Sequence, residues 1–364
     1  MEDLVLGGSD SYTTGIRQDT YYSGPSWNRY FNPDLTWEVG EKINLGLDLQ
    51  LFNDFNLTFD IFREKRRDIF MTRENSIPEI VGTGETKITS NNGEMENKGL
   101  DLAIDYNKQI TKDFFLSFKS TLTFARNKVL KMDEPPYFEY PGLSDVGHPL
   151  GTYWGYVADG LFPDQETIDN SPRQDLGYTP QPGDIKYVNQ PNAKGEYDNV
   201  INSNDRVAIG HPYDPELVYG FGPSMKWKNW DFSFFFQGVA RTSFMMYGMH
   251  PFGTTSIKNM LQFVADDHWS VDNPNPNAAY PRLTKDSNGN NDQYSTYWLR
   301  NAAFLKLKNA EIGYTYKGMR FYLSGVNLLT FSPFKHWDPE MGGGNGLYYP
   351  TQRVFNIGFQ MTIQ

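Results

Sequence analysis

Cysteine is absent from this 364-residue chain, which excludes disulfide staples and thiolate metal sites within it. Long apolar runs are missing too. No uninterrupted stretch exceeds four residues, Phe244-Met245-Met246-Tyr247 being one, whereas a transmembrane helix needs roughly 20. The opening Met1-Glu2-Asp3-Leu4 has neither the basic start nor the apolar stretch of a secretory leader. Basic charge is outweighed, with 33 Lys+Arg against 44 Asp+Glu and a net charge of −11. That argues against a nucleic-acid partner, which wants a cationic footprint. Catalytic spacings are also lacking. His148, His211, His250, His268 and His336 never stand in a metal-ligand spacing such as H-x-x-x-H, and no nucleophile elbow appears. The run Gly342-Gly343-Gly344-Asn345-Gly346 lacks the Lys-Ser/Thr pair and the helix of a phosphate loop. No catalytic residue, metal site or cofactor is expected, and the chain does not read as an enzyme.

What is present is a two-residue period. Aromatics make up 16 % of the chain, with 23 Tyr and 26 Phe, yet all hydrophobics reach only 38 %. A soluble core of this size leans on Leu, Ile, Val and Ala instead. Rings pack well on pleated sheets and form interfacial girdles. The end of the chain, Phe355 to Gln364, is apolar at every odd position and polar or glycine at every even one. Ile43, Leu45, Leu47, Leu49 and Leu51 alternate in the same way, then Phe55, Leu57, Phe59 and Ile61 follow across a short turn. Leu100, Leu102, Ile104 and Tyr106 lead into Phe114, Leu116, Phe118, Leu122 and Phe124. Trp230, Phe232, Phe234 and Phe236 form another set. Over 303–317 the phase shifts from Leu305 and Leu307 to Ala310, Ile312, Tyr314 and Tyr316, which predicts a β-bulge near Lys308-Asn309. With 319–329 and 353–364, the pattern amounts to about ten strands.

The connections fall into two lengths. Those at 52–54, 111–113, 227–229 and 317–318 are tight. Those at about 72–97, 127–216, 242–296 and 331–351 are long, and they hold most of the Pro and Gly. Short turns at one end and long loops at the other are the asymmetry of an outer-membrane barrel. The expectation is therefore an all-β, antiparallel transmembrane β-barrel portion in the cell outer membrane, its large side chains toward lipid. The rival is a soluble glycan-binding β-domain, in which alternation separates a core face from a wet one.

Ordered motifs then carry a resemblance. Leu35-Thr36-Trp37-Glu38 precedes Asn44-Leu45-Gly46-Leu47-Asp48, and Asn97-Lys98-Gly99-Leu100-Asp101-Leu102 follows. Val146-Gly147-His148-Pro149-Leu150-Gly151 leads to Tyr156-Val157-Ala158-Asp159-Gly160-Leu161-Phe162. Pro182-Gly183-Asp184-Ile185-Lys186-Tyr187, Asn204-Asp205-Arg206, His268-Trp269-Ser270, Tyr280-Pro281-Arg282, Phe304-Leu305-Lys306-Leu307-Lys308-Asn309 and Asp338-Pro339-Glu340 come in order behind them. In sequence and spacing over 35–364 these resemble the SusC/RagA-type TonB-linked outer-membrane transporters of Bacteroidetes. The resemblance implies a 22-stranded barrel around a plug, and active import of a glycan or peptide. It also implies a SusD-like surface lipoprotein as lid and a pull from TonB through an N-terminal part. The plug and the first half of the barrel have no counterpart here, so the chain reads as the C-terminal part of an outer-membrane β-barrel, either a fragment or one half of a split one. A transporter-like scaffold that does not transport is the functional alternative.

The candidate residues lie in the long loops. Tyr153, Trp154, Tyr156, Trp269 and Tyr294 are candidate substrate contacts, because a flat ring stacks on a sugar or flanks a peptide side chain. Tyr297 and Trp298, just ahead of a strand, are candidates for the interfacial belt. The 184–205 loop offers only Glu196 and Asp198 as carboxylates near amide oxygens, and reads as an ordinary solvated loop rather than a calcium site. Arg63-Glu64-Lys65-Arg66-Arg67-Asp68 ends a strand and reads as solvated charge, with contact to lipopolysaccharide phosphates or a place lining the lumen as the alternatives.

Overall fold

The computed structural model describes residues 3–362 apart from 19, 30, 74, 76, 78–79, 81–87, 249–259 and 285–286, and for 3–12 and 23–29 it describes backbone alone. Ile363 and Gln364, expected in the last strand, and His250 lie outside the described residues. A hairpin of β1 (Asp3–Thr14) and β2 (Thr20–Arg29) comes first. Four long strands follow: β3 (Val39–Leu51), β4 (Phe55–Thr72), β5 (Thr89–Thr111) and β6 (Phe114–Lys131). The next connection holds short elements: β7 (Tyr153–Gly155), β8 (Ala158–Leu161), α1 (Gln165–Asp169), β9 (Arg173–Gln174), β10 (Ile185–Tyr187), β11 (Val200–Ile201) and β12 (Val207–Ile209). Then come β13 (Leu217–Trp227) and β14 (Trp230–Ala240), followed by β15 (Ser243–Met245), α2 (Gln262–Asp266) and β16 (Leu299–Asn301). Strands β17 (Phe304–Tyr316), β18 (Met319–Phe331) and β19 (Val354–Met361) close the order.

Nine of these form one antiparallel sheet in the order β19-β18-β17-β14-β13-β6-β5-β4-β3. Each long strand pairs with the next long strand in the chain, so the sheet is an up-and-down meander. The strands are longer than the alternation alone suggested. The connection expected over 72–97 shrinks to 73–88, because β4 runs to Thr72 and β5 starts at Thr89.

Register converts the two-residue period into two faces. On one face Leu116, Met225, Phe232, Ile312, Leu323 and Ile357 lie side by side across six strands. One residue along, Ser117, Ser224, Ser233, Glu311, Ser324 and Asn356 form the neighbouring rung on the opposite face. Leu45, Ile61, Leu100, Phe124 and Leu217 continue the apolar face on the other half of the sheet. Leu45, Ile61, Leu323 and Ile357 are exposed, so these side chains have no protein partner layer and suit contact with hydrocarbon. Phe114, Trp227, Trp230, Tyr314, Phe321 and Phe359 make an aromatic rung beside the tight turns, with Trp230 and Tyr314 rings 4.8 Å apart. That is where an interfacial girdle belongs.

The turns and the bulge follow from local chemistry. Phe52 and Asn53 have φ of 55° and 57°, and Lys317 and Gly318 have 48° and 79°. Two successive left-handed residues match the strand twist, as a two-residue hairpin at 317–318 and within the three-residue turn at 52–54. The expected bulge falls on Lys308: the partners of β18 jump from Leu307 to Asn309, and those of β14 jump across the same residue.

The faces make a direct prediction. Ile104→Arg, on the apolar face opposite Ser120 and so midway along the β6 run from Phe114 to Phe124, should lower the stability of the lipid-embedded protein by about 2–4 kcal/mol. Thr121→Arg, one residue along on the polar face opposite Ala103, should change it little. Denaturant unfolding from lipid vesicles compares them; equal costs would refute the assignment of faces.

Candidate functional site

The packed core of the described residues lies in the loops rather than in the sheet. Tyr156, Leu161, Ile185, Tyr187, Met246 and Trp298 are among its buried members. Loops usually run over surfaces because irregular backbone leaves polar groups unpaired. Here a polar clamp deals with that cost.

The clamp is built around Asp184, whose side chain is wholly buried. Gly183 before it has φ +87°, and a β-carbon there would collide with the Trp269 ring, so only glycine lets the turn press against that indole. Asp184 Oδ1 accepts from Arg282 Nε at 2.7 Å, Asn288 Nδ2 at 3.0 Å and Asn291 Nδ2 at 2.9 Å. Its Oδ2 accepts from the Gln181 amide at 2.8 Å. Arg282 also donates to the Tyr178 hydroxyl at 2.8 Å. Burial works against the Arg282 charge, but Asp184 and Tyr178 outweigh it and hold the proton more tightly than usual. A second layer joins the same two loops. Ile185 N donates to Asn291 Oδ1 at 2.9 Å, Tyr187 N to Gln174 Oε1 at 2.7 Å, and Tyr187 Oη to the Asn290 carbonyl at 2.7 Å. Burial pushes the Tyr187 phenol well above its ordinary range.

A second clamp ties the 332–353 loop to the polar face of the sheet. Lys306 is wholly buried and donates to Asp338 Oδ2 and Glu340 Oε2, both at 2.5 Å. Lys308, the bulged residue, reaches Glu340 Oε1 at 2.6 Å. Burial pushes both carboxyls up. Bonds from Lys306, with Thr351 on Asp338 and Lys308 on Glu340, outweigh burial and hold both below the usual carboxylate range.

Within the 241–298 connection lies a cavity of about 230 Å³, lined by Met246, Tyr247, Tyr280, Asn291, Tyr294 and Trp298 among others. A second pocket of about 380 Å³, beside Gln181, His268 and Trp269, shares Arg282 and Leu283 with it. The first offers rings beside amide groups, a lining suited to a ligand that is both flat and hydrogen-bonding.

The expected aromatics divide. Tyr294 stands half exposed at the cavity, Trp298 is buried in its wall, and Trp269 lines the second pocket. Tyr156 is buried, with its ring 5.1 Å from that of Tyr187, and serves the loop core. Tyr153 packs against the same core. Trp154 donates to Asp145 Oδ1 at 2.6 Å and meets His148 edge-on. Tyr297 and Trp298, expected at the lipid interface, instead donate to the carbonyls of Ala278 at 2.9 Å and Asn291 at 2.7 Å. The reason is β16: it pairs with β15 in the loop layer and separates Trp298 from the membrane strand β17. The aromatic rung described above occupies the opposite end of the sheet.

Beyond Asp184, the 184–205 loop spends Asp205 and Asp198 internally. Asp205 is buried and accepts from the amides of Gln190 at 2.7 Å and Asn202 at 2.8 Å, while Asp198 accepts from Val200. Among the described residues no group of three His, Asp or Glu side chains is placed to hold a metal. Sequence reasoning missed Asp184, Arg282, Asn288 and Asn291 as a unit. Their motifs were visible, but nothing in one sequence pairs positions about a hundred residues apart.

Two predictions follow from the clamps. Asp184→Asn removes one partner of a buried ion pair and should cost about 3–5 kcal/mol locally. Limited proteolysis should then cut 132–216 and 241–298 first while the sheet stays intact, and adding Arg282→Leu should restore part of the resistance. Because Asp338 and Glu340 ionise at depressed values when folded, their stabilisation is complete above about pH 5 and is lost as pH falls through the ordinary and then the depressed values. Hydrogen exchange across 332–353 should accelerate in that acid window, and Lys306→Met should weaken the dependence, leaving the part that Lys308 and Thr351 supply.

Comparison with known proteins fits this geometry. Residues 8–328 match the family model described as TonB dependent receptor-like, beta-barrel. The chain is 28 % identical to TonB-dependent receptor P26 of Formosa agariphila, over 98 % of this chain and 37 % of that protein. It is 27 % identical to TonB-dependent receptor SusC of Bacteroides thetaiotaomicron, over 94 % of this chain and 34 % of that protein. It superposes on the RagAB peptide importer in its open-open state with a TM-score of 0.72 at 20 % identity, covering 100 % of this chain and 38 % of that one. The chain thus spans about a third of the length of the curated relatives it matches.

Proposed function

The chain belongs to the TonB-dependent receptor β-barrel family of the outer membrane, and from that premise we propose that it forms the C-terminal wall and outer loops of a SusC-like nutrient importer. The observation that carries this reading is the union of a one-sided apolar sheet with a loop layer rigid enough to hold an aromatic-lined cavity. Import needs both. The sheet sits in lipid, and the clamped loops present a fixed binding surface to the outside.

In this reading a glycan or peptide docks at the outer loops, with Tyr294 and Tyr247 offering exposed rings and Asn291 a nearby amide. A SusD-like lipoprotein closes over the loops. TonB acts through a plug supplied by the rest of the barrel protein. The names of the relatives support importer and receptor roles for those proteins; the RagAB complex is named a peptide importer, and SusC a TonB-dependent receptor.

The test uses the full-length protein in outer membranes. Carbonate washing should leave it in the pellet, and detergent should release it. Uptake of labelled glycan and peptide mixtures should depend on it, and Tyr294→Ala should raise the half-saturating concentration of the true ligand by roughly tenfold, the loss of one aromatic contact. Release by carbonate would refute membrane insertion. Unchanged uptake of both mixtures after deletion would leave the scaffold role standing.

A further inference from the structure

Arg241, Arg282, Lys306 and Lys308 in the loop layer each meet a carboxylate within 2.7 Å. Arg300 does not. It sits in the middle of β16, opposite Phe244 of β15, and is only partly exposed, yet it forms no ion pair among the described residues. Its Nη1 donates to the carbonyls of Tyr297 at 2.6 Å and Leu299 at 3.1 Å. The Tyr280 hydroxyl is a further hydrogen-bond partner. A guanidinium carries five N–H donors, so part of the fork is left over. Burial works against the Arg300 charge, and a partly dehydrated charge without a counter-charge is costly.

The surroundings of that charge are rigid. Tyr280 is buried, and its hydroxyl lies 3.2 Å from His336 Nε2. The His336 ring stacks on Phe263 at 4.2 Å and meets Phe334 edge-on at 5.3 Å. Burial, and after it Arg300, hold the His336 imidazole below its ordinary value, so near pH 7 it is neutral. One acid acts on the same group of rings: burial pushes the Tyr297 phenol up, Arg300 pulls it down and Asp267 pushes it up again. Asp267 is exposed and makes no ion pair with Arg300. His336 is exposed too, so one side of the group is open to solvent. Tyr280 and Trp298, the latter two residues before Arg300, line the cavity of about 230 Å³. The remaining donors of Arg300 thus adjoin the wall of the cavity assigned to ligand.

We propose that Arg300 is a recognition site for a carboxylate on the incoming ligand, held in place by the Tyr280 hydroxyl and the backbone of Tyr297 and Leu299. A carboxylate matches the planar fork in shape and supplies the charge that the chain does not. At a partly buried guanidinium the pair is screened less than at a bare surface. The glycan or peptide of the import reading is thereby narrowed to an acidic one. That narrowing rests on the import reading; the site itself is tested by binding.

The experiment incubates the full-length protein in detergent with two pools, random tetrapeptides and oligosaccharides rich in uronic acids, each before and after methyl esterification of its carboxyl groups. Material that stays with the protein through gel filtration is counted by mass spectrometry. One free-acid pool should be retained roughly tenfold better than its ester, and which pool does so separates peptide from glycan. Arg300→Gln should abolish the preference and leave retention of the ester unchanged, which a purely structural role would not do. Arg300→Lys keeps the charge without the fork and should recover part of the preference. Arg206→Gln, at an exposed loop arginine, should behave as the parent does. If Arg300→Gln fails to fold, the acid-to-ester ratio of the parent and of Arg300→Lys still decides. Equal retention of acid and ester by the parent, retention of neither, or a preference that survives Arg300→Gln would each overturn the site, while import is read separately by cellular uptake. A preference that depends on Arg300, in a protein whose deletion leaves uptake unchanged, would overturn import and keep the site.

Discussion

Backbone N–H and C=O groups cannot go unpaired in hydrocarbon, where each orphan costs several kcal/mol, and that constraint organises the rest of this chain. A nine-strand meander answers it by pairing each interior strand on both sides. Once the pairing is fixed, so is the direction of every side chain, and a one-residue slip would turn Ile312 and Leu323 inward and Glu311 and Ser324 toward lipid. The chain tolerates slips between β4 and β5, between β5 and β6, and at Lys308, and it uses the last. The bulge sets Lys308 beside Lys306, so both ammonium groups reach Glu340.

The loops obey a different rule. They lie outside the apolar band, where irregular backbone is permitted, but their packed core is large enough to strand polar groups. Asp184 answers for three side-chain donors and one backbone amide at once. Buried ion pairs of this kind add little net stability compared with apolar packing, yet removing one partner is costly. Such a pair favours a single arrangement of two loops over many loose ones. A cavity keeps its shape only if its walls do, which links the clamp to the rings of Tyr294 and Trp298.

Much of the sheet was legible before any coordinates, and the reason is periodicity. Alternation at Leu45–Leu51 or Phe355–Phe359 reports a face directly, and the phase change after Leu307 placed the bulge near Lys308-Asn309, where the register skips Lys308. The strand ends were less legible. Asn91 sits in β5 between Ser90 and Asn92, because above the lipid the two faces no longer differ in solvent. The loop aromatics were hardest. Trp298 and Trp230 are the same residue type, each next to a strand, but one is walled in by a short strand pair and the other stands on a membrane rung. Composition cannot separate them. Only the pairing of β15 with β16 does.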